Sequence, residues 1–333
     1  MSRIFVHGLG AVSPAGWGVP SLHSALKKNE PPPAQNLVRP GWKKPLRIRA
    51  VPPLSPAPPF LAHPRMRRSS AISQYTVAAA CEALGDDVPR VQNGELRLGI
   101  IVCLMPGCVT YSRRFFEEVL ANPATASPLL FPETVFNAPA SHLSAFLNSP
   151  SLNYSLVGDN GAFLQGLALA AGWLELGLAD ACVVAGTEET DWIAADAVRL
   201  FRRAMIYGGG AGALYLKKDS GAAVELAAIT DSFLFTNRQS RAEAARRMTA
   251  QLPVLAANEL LCAGGNEYSG ESRRTENCLT PKIVLGDSFV ALAAWQCVAA
   301  CELVRRGEFP AANVSVVGAN QQAIGARFVH AQE

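Results

Sequence analysis

Ala162-Phe163-Leu164-Gln165-Gly166-Leu167-Ala168-Leu169-Ala170-Ala171-Gly172-Trp173-Leu174-Glu175-Leu176 runs through the turn Gly177-Leu178-Ala179-Asp180 into Ala181-Cys182-Val183-Val184-Ala185. On a helix, Phe163, Leu164, Leu167, Leu169 and Leu174 leave no face suited to water, so the segment must lie between layers. The strand behind it is a continuous apolar run and not an alternation, which marks a sheet covered on both faces. Together they predict a sandwiched helix against a buried sheet.

Working outward, the pattern repeats. Strand-length apolar runs occupy Leu98–Leu104, Leu152–Val157, Ala211–Leu216, Val224–Ile229, Lys282–Leu285 and Val314–Val317, and Ile4–Val6 runs into a glycine turn. Helical patterns cover Ser69–Leu84, Ser112–Ala121, Ala140–Leu147, Ser240–Leu252 and Phe289–Arg306. Phe289–Val304 is again apolar all round. Alternating strands and helices with two buried helices predict an α/β fold layered α/β/α/β/α.

Composition narrows the function classes. Of 333 residues, 49% are hydrophobic and 17% charged, which excludes a disordered chain. A net charge of +3 gives no basic surface for nucleic acid. No apolar run reaches the ~18 residues of a membrane span. Residues 1–20, with His7, Gly8, Gly10, Pro14, Gly16 and Gly18, do not read as a signal peptide. The eight cysteines lack CxxC spacing and lie in apolar surroundings, as at Cys81, Cys103, Cys182, Cys297 and Cys301. They read as small buried hydrophobes of a cytoplasmic protein. Cys297 and Cys301 would need two further ligands to hold a metal. No metal or cofactor is expected. Val6-His7-Gly8-Leu9-Gly10-Ala11 does not complete a dinucleotide fingerprint, because Ser13 takes the third glycine position and no acidic residue ends a second strand.

Residues 31–64 hold eleven of the 23 prolines, with Arg39, Lys43, Lys44, Arg47 and Arg49. They are expected to form no regular element and to run as a surface excursion. Arg65, Arg67 and Arg68 follow at the start of the next helix. The plain reading of this charge is a solvated loop; the functional one is a docking face for an acidic partner.

Ile4-Phe5-Val6-His7-Gly8-Leu9-Gly10-Ala11-Val12-Ser13-Pro14-Ala15-Gly16 resembles the opening of the β-ketoacyl-acyl-carrier-protein synthases, the condensing enzymes of the thiolase fold. Met66-Arg67-Arg68 with Tyr75–Leu84, Asn137-Ala138-Pro139-Ala140, Gly177 through Glu188, Gly208 through Leu216 and Thr280-Pro281-Lys282-Ile283-Val284-Leu285-Gly286 are similar to further segments of that family. The resemblance runs over roughly 1–220 and 280–329 and is poor over 231–279. It implies a thiolase-like fold of two pseudo-repeated halves, 1–222 and a shortened 223–333. It also implies a dimer, with 137–164 facing the two-fold axis.

The family's chemistry uses a cysteine at the start of a buried helix, whose helix end lowers the thiol pKa, and two histidines. Alignment back from Gly177 places the nucleophile at Asn160, with Asp159 one residue away. The first histidine position falls near Cys262-Ala263-Gly264, at Ala263, and the second at Asp287; the family lysine remains as Lys282. The five histidines are His7, His23, His63, His142 and His330, so 143–329 contains none. No catalytic residue of the condensing set is therefore expected.

Each position also has a structural reading. Asp159-Asn160-Gly161 is a helix-start string. Asp287 can cap the helix that follows it or pair with Lys282. Glu188, Glu189 and Asp191 form either a solvated loop end or a buried group beside the old pocket. Cys262 reads as packing, and His142 as a core or interface residue.

The combination is similar to the chain length factors, silent partners of an active β-ketoacyl synthase. That implies a heterodimer with such a synthase and contact with an acyl carrier protein through Arg39, Lys43, Lys44, Arg47, Arg49, Arg65, Arg67 and Arg68. The alternatives are an acyl-thioester decarboxylase, transferase or hydrolase working through Asp287, Lys282 or Cys262, and a homodimeric acyl-chain or carrier-protein binding protein.

Overall fold

In a computed structural model, residues 3–54, 56, 58–150, 152–201, 205–264 and 277–331 are described. Among them ten strands form one continuous path, and two short strands attach to its sides. The first five are β1 (Phe5–Ser13), β2 (Leu98–Leu104), β3 (Asn153–Val157), β4 (Ala181–Glu188) and β5 (Gly210–Lys217). The second five are β6 (Val224–Ile229), β7 (Leu260–Ala263), β8 (Cys278–Leu279), β9 (Ala311–Val317) and β10 (Gln322–His330).

Counted outward from the middle, the order is 1-5-4-2-3 on one side and 6-10-9-7-8 on the other. On each side the first two pairings are antiparallel and the last two parallel. Each strand thus has a twin five places on in the chain. The two sets meet where Phe5 and Val6 pair with Glu225 and Val224.

Helices repeat the scheme. Between β1 and β2 lies α2 (Ala71–Leu84), packed on the outer face of β1, β5 and β4; α1 (Val19–Lys28) precedes it. The next helix of this set, α3 (Ala138–Phe146), packs against α2. Inside, α4 (Ala162–Glu175) and α6 (Phe289–Arg305) touch each other and the strands of both sets. The far side is covered by α5 (Arg238–Gln251), whose start is closed by a capping box between Asn237 and Ser240. The resulting order is α/β/α/β/α, the expected fold class. Trp295, fully buried on α6, fixes this helix to the first sheet by donating to the carbonyls of Val12 at 3.1 Å and Ala211 at 2.9 Å.

The structure corrects four expectations. The glycines after Val6 do not make a turn: β1 continues through them to Ser13, with a shift of register between Val6 and Gly8. They are required because α2 lies so close that a Cβ on Gly8 or Gly10 would sit 1.8 Å from the carbonyl oxygen of Ala83 or Ala79. Within 31–64, Gln35–Leu37 and Leu46–Arg49 pair as strands, and Tyr207–Gly208 joins them. Leu46 and Ile48 bury alternate side chains against Ala194, Ala195 and Val198, in the gap between Pro45 and Pro52.

Residues 281–285 form a short helix and not a strand, because Pro281 suits the first helical position. The strand is the preceding pair, Cys278–Leu279. Cys278 is exposed on that edge, unlike the buried Cys103, Cys108, Cys182, Cys262, Cys297 and Cys301. Arg65, Arg67 and Arg68 lie in the turn before α2 and not on it. No helix among the described residues is long and apolar enough to cross a membrane.

Candidate functional site

The two inner helices begin beside each other. Before α4, Asp159 is completely buried. Its Oδ1 accepts from the Gly161 N–H at 3.1 Å, and its Oδ2 accepts from the N–H groups of Asn320 at 3.2 Å and Gln321 at 2.9 Å. The Asp159 N–H donates to Gln321 Oε1 at 3.0 Å. One carboxylate thus joins the start of α4 to the β9–β10 turn. The fit is tight: a Cβ on Gly318 would lie 1.9 Å from Asp159 Oδ2.

Asn160 points the other way. Its Nδ2 donates to the carbonyl oxygen of Phe289, the first residue of α6, at 2.8 Å. Phe289 has φ 40°, in the left-handed region that bulky residues avoid. Its N–H donates to Asp287 Oδ1 at 3.1 Å. Hydrogen bonds on both sides of the residue hold the strained backbone.

Asp287 also pairs with Lys282, Nζ to Oδ2 at 2.9 Å, and its side chain is 4% exposed. Asn160, Asp287 and Lys282 therefore belong to one assembly centred on Phe289. Ala263 stands at the end of β7, in register with Ser315 of β9. Cys262 is fully buried, and burial pushes its thiol well above the ordinary range, so it stays protonated at neutral pH.

The acidic run at the end of β4 is buried, not solvated. Glu188 Oε1 accepts from the Met105 N–H at 2.9 Å, and burial drives its carboxyl well above the usual range. Glu189 accepts from the N–H of Thr110 at 2.7 Å and of Ile72 at 3.4 Å, which lie in the first turns of the helix Val109–Ala121 and of α2. Burial pushes Glu189 up to about 7. Asp191 caps Ile193 and pairs with Arg113 Nε at 3.0 Å. Tyr207 is fully buried near this group, and burial followed by the charge of Glu188 raises its phenol. His142 is spoken for by Glu133, with Nε2 2.8 Å from Oε1.

Of the basic residues, Arg39 pairs with Asp196 at 2.6 Å and stacks on the Trp42 ring at 3.7 Å. Arg49 donates to the carbonyls of Pro32 and Ile283. Lys43, Lys44, Arg47, Arg65, Arg67 and Arg68 are exposed.

Chemically, the assembly at the starts of α4 and α6 offers an amide with one N–H used by Phe289, an ion pair and a carboxylate taken up by backbone N–H groups. Sequence reading found Asn160, Asp287 and Lys282. It missed Phe289, 129 residues from its partner Asn160, and Gln321, 162 residues from Asp159; no local signal marks either contact.

No family model matches the chain, and no curated protein matches it in sequence. Solved structures do share its fold. A β-ketoacyl synthase from Burkholderia phymatum superposes with a TM-score of 0.80 at 16% identity, over 100% of each chain. A ketosynthase (ApeO) in complex with its chain length factor (ApeC) from Xenorhabdus doucetiae gives 0.80 at 13% identity, over 99% of this chain and 98% of that one. The ishigamide ketosynthase/chain length factor gives 0.76 at 16% identity, over 99% and 100%. The chain thus has the thiolase-like fold of the ketosynthases, and at these identities the likeness is one of fold.

Proposed function

We propose that this chain is a ketosynthase-like subunit without condensing activity, resembling a chain length factor, that pairs with an active β-ketoacyl synthase. The pathway class would be type II polyketide, aryl polyene or fatty-acid-like, and the location cytoplasmic. One observation carries the reading. At the position we read as the nucleophile's, Asn160 has an N–H donated to Phe289, and at the position we read as a histidine's, Asp287 is paired with Lys282. An amide is no substitute for a thiolate, and a carboxylate held by an ammonium and a backbone N–H is no substitute for an imidazole. The absence of histidine from 143–329 supports the same conclusion.

Partner binding has its own support. β3 ends the sheet with β2 as its only strand partner among the described residues. It leaves an unpaired rim, with Tyr154 52% and Val157 55% exposed. Leu129, Phe131 and Phe136 are also exposed in the segment before α3. We assign 137–164 to the partner contact. We assign Lys43, Lys44, Arg47, Arg65, Arg67 and Arg68 to an acyl carrier protein, and take 222/223 as the division between the two halves. Structures of similar fold include a ketosynthase with its chain length factor, and a type II carrier protein in complex with its ketosynthase.

The test is co-expression with a synthase carrying a complete Cys-His-His set. Native mass spectrometry should show a one-to-one complex, and product should require both chains. Decarboxylation or condensation of a malonylated carrier protein by this chain alone would refute the reading.

A further inference from the structure

A second, chemically different site lies away from the start of α6. Between α1 and the C-terminal half of α6 is a cleft of about 140 Å³. Leu22, Leu26, Leu279, Val298, Ala299 and Leu303 give it an apolar floor, and His23, Lys27, Glu302 and Glu308 stand around it. An aliphatic cavity of about 150 Å³ suffices for benzene. Residues 298–303 are roughly 14–21 Å along the helix from Phe289, so the cleft is separate from the assembly there and independent of the function proposed for it.

The polar groups of the lining are specific. His23 Nε2 is buried and makes no hydrogen bond within the described chain. Its neighbour Glu308 Oε1 is 3.6 Å away, too far to accept from it. A ring nitrogen and a carboxylate oxygen thus stand side by side at an apolar cleft. A hydroxyl, which both donates and accepts, can serve the two together. An anionic group seated between these two would meet Glu308 directly, whereas the exposed Lys27 stands toward solvent. The other acid, Glu302, is held by Arg305 and by Arg306 at 2.7 Å.

We infer that this cleft binds a small neutral ring compound carrying one hydroxyl, of the phenol or cyclohexanol class. The ring fills the space among Leu22, Val298 and Leu303, and the hydroxyl accepts from His23 and donates to Glu308.

Calorimetric titration of the whole chain with phenol tests this. Saturable binding is expected, with a Kd on the order of 0.1–1 mM for so small a ligand. Benzoate should bind at least tenfold more weakly, and Ala299→Leu, which fills the cleft, should weaken phenol at least tenfold. Should that variant fail to fold, crystals of the unaltered chain soaked in 4-bromophenol locate the ligand directly, with anomalous bromine scattering expected between α1 and α6. The inference is overturned by no saturation up to about 10 mM, by benzoate binding as tightly as phenol, by a folded Ala299→Leu variant with unchanged affinity, or by bromine found elsewhere.

Discussion

The inner helices α4 and α6 are twins in topology, yet they begin by opposite means. Ahead of α4, Asp159 relaxes its surroundings: a buried carboxylate collects three N–H groups, and Gly161 is in ordinary helical geometry. Ahead of α6, the backbone is strained at Phe289 and must be held by Asp287, Lys282 and Asn160. A repeated fold therefore fixes where a helix starts, and leaves open whether that start is a stable anchor or a restrained one. The difference bears on function, because a restrained start gives up its polar groups to the restraint.

Substitutions should separate the two starts by size of effect. Asp159→Ala leaves the buried Gly161 N–H unpaired and frees the turn N–H groups of Asn320 and Gln321, and should cost about 3 kcal/mol, read as a lower urea midpoint at unchanged slope. A loss below about 1 kcal/mol would mean that the anchor is not Asp159. Lys282→Met should cost about 2 kcal/mol, less than a fully buried pair, because Lys282 keeps 21% of its side chain exposed. An effect as large as that of Asp159→Ala would erase the asymmetry between the starts.

The acidic group at the end of β4 gives a third effect. Glu189 titrates near 7 in the folded chain against an ordinary 4.5. The folded state therefore keeps a proton that the unfolded chain has already lost. Stability should fall as pH rises from about 4.5 to about 7, by on the order of 3 kcal/mol, and Glu189 should add nothing further above that. Urea melts across this range should show the decline in the unaltered chain and a flatter profile in Glu189→Gln. A slope left in that variant belongs to Glu188 and Glu82, which burial raises in the same direction.

Smallest of all, Asn160→Ala should cost about 1 kcal/mol, one hydrogen bond. Combined with Lys282→Met it should cost more than the sum of the two, since both restrain Phe289. Simple additivity would show that the clamp is not a unit.

The layered architecture was legible because periodicity is local: Leu98–Leu104 and Val224–Ile229 are strands as read. Local reading failed where a distant element decides. Gly8 and Gly10 look like a turn until α2 is laid against them. β10 escaped notice because Gly325 and Arg327 interrupt its apolar run, and Arg327 is satisfied inside the sheet by Glu259 at 2.7 Å, 68 residues away. In the candidate site, Lys282 and Asp287 are close enough in sequence to be paired on inspection. The bond from Asn160 to Phe289 joins two halves of the molecule, and nothing in either local string announces it.

The bare rim of β3 sets a limit on how this polypeptide can be made. Surplus copies would offer one another the same open backbone groups, with Tyr154 and Val157 ready to be covered. If a different chain closes that border, as proposed, output from the ribosome has to be matched to it, chain for chain. Unmatched material would be drawn toward self-association.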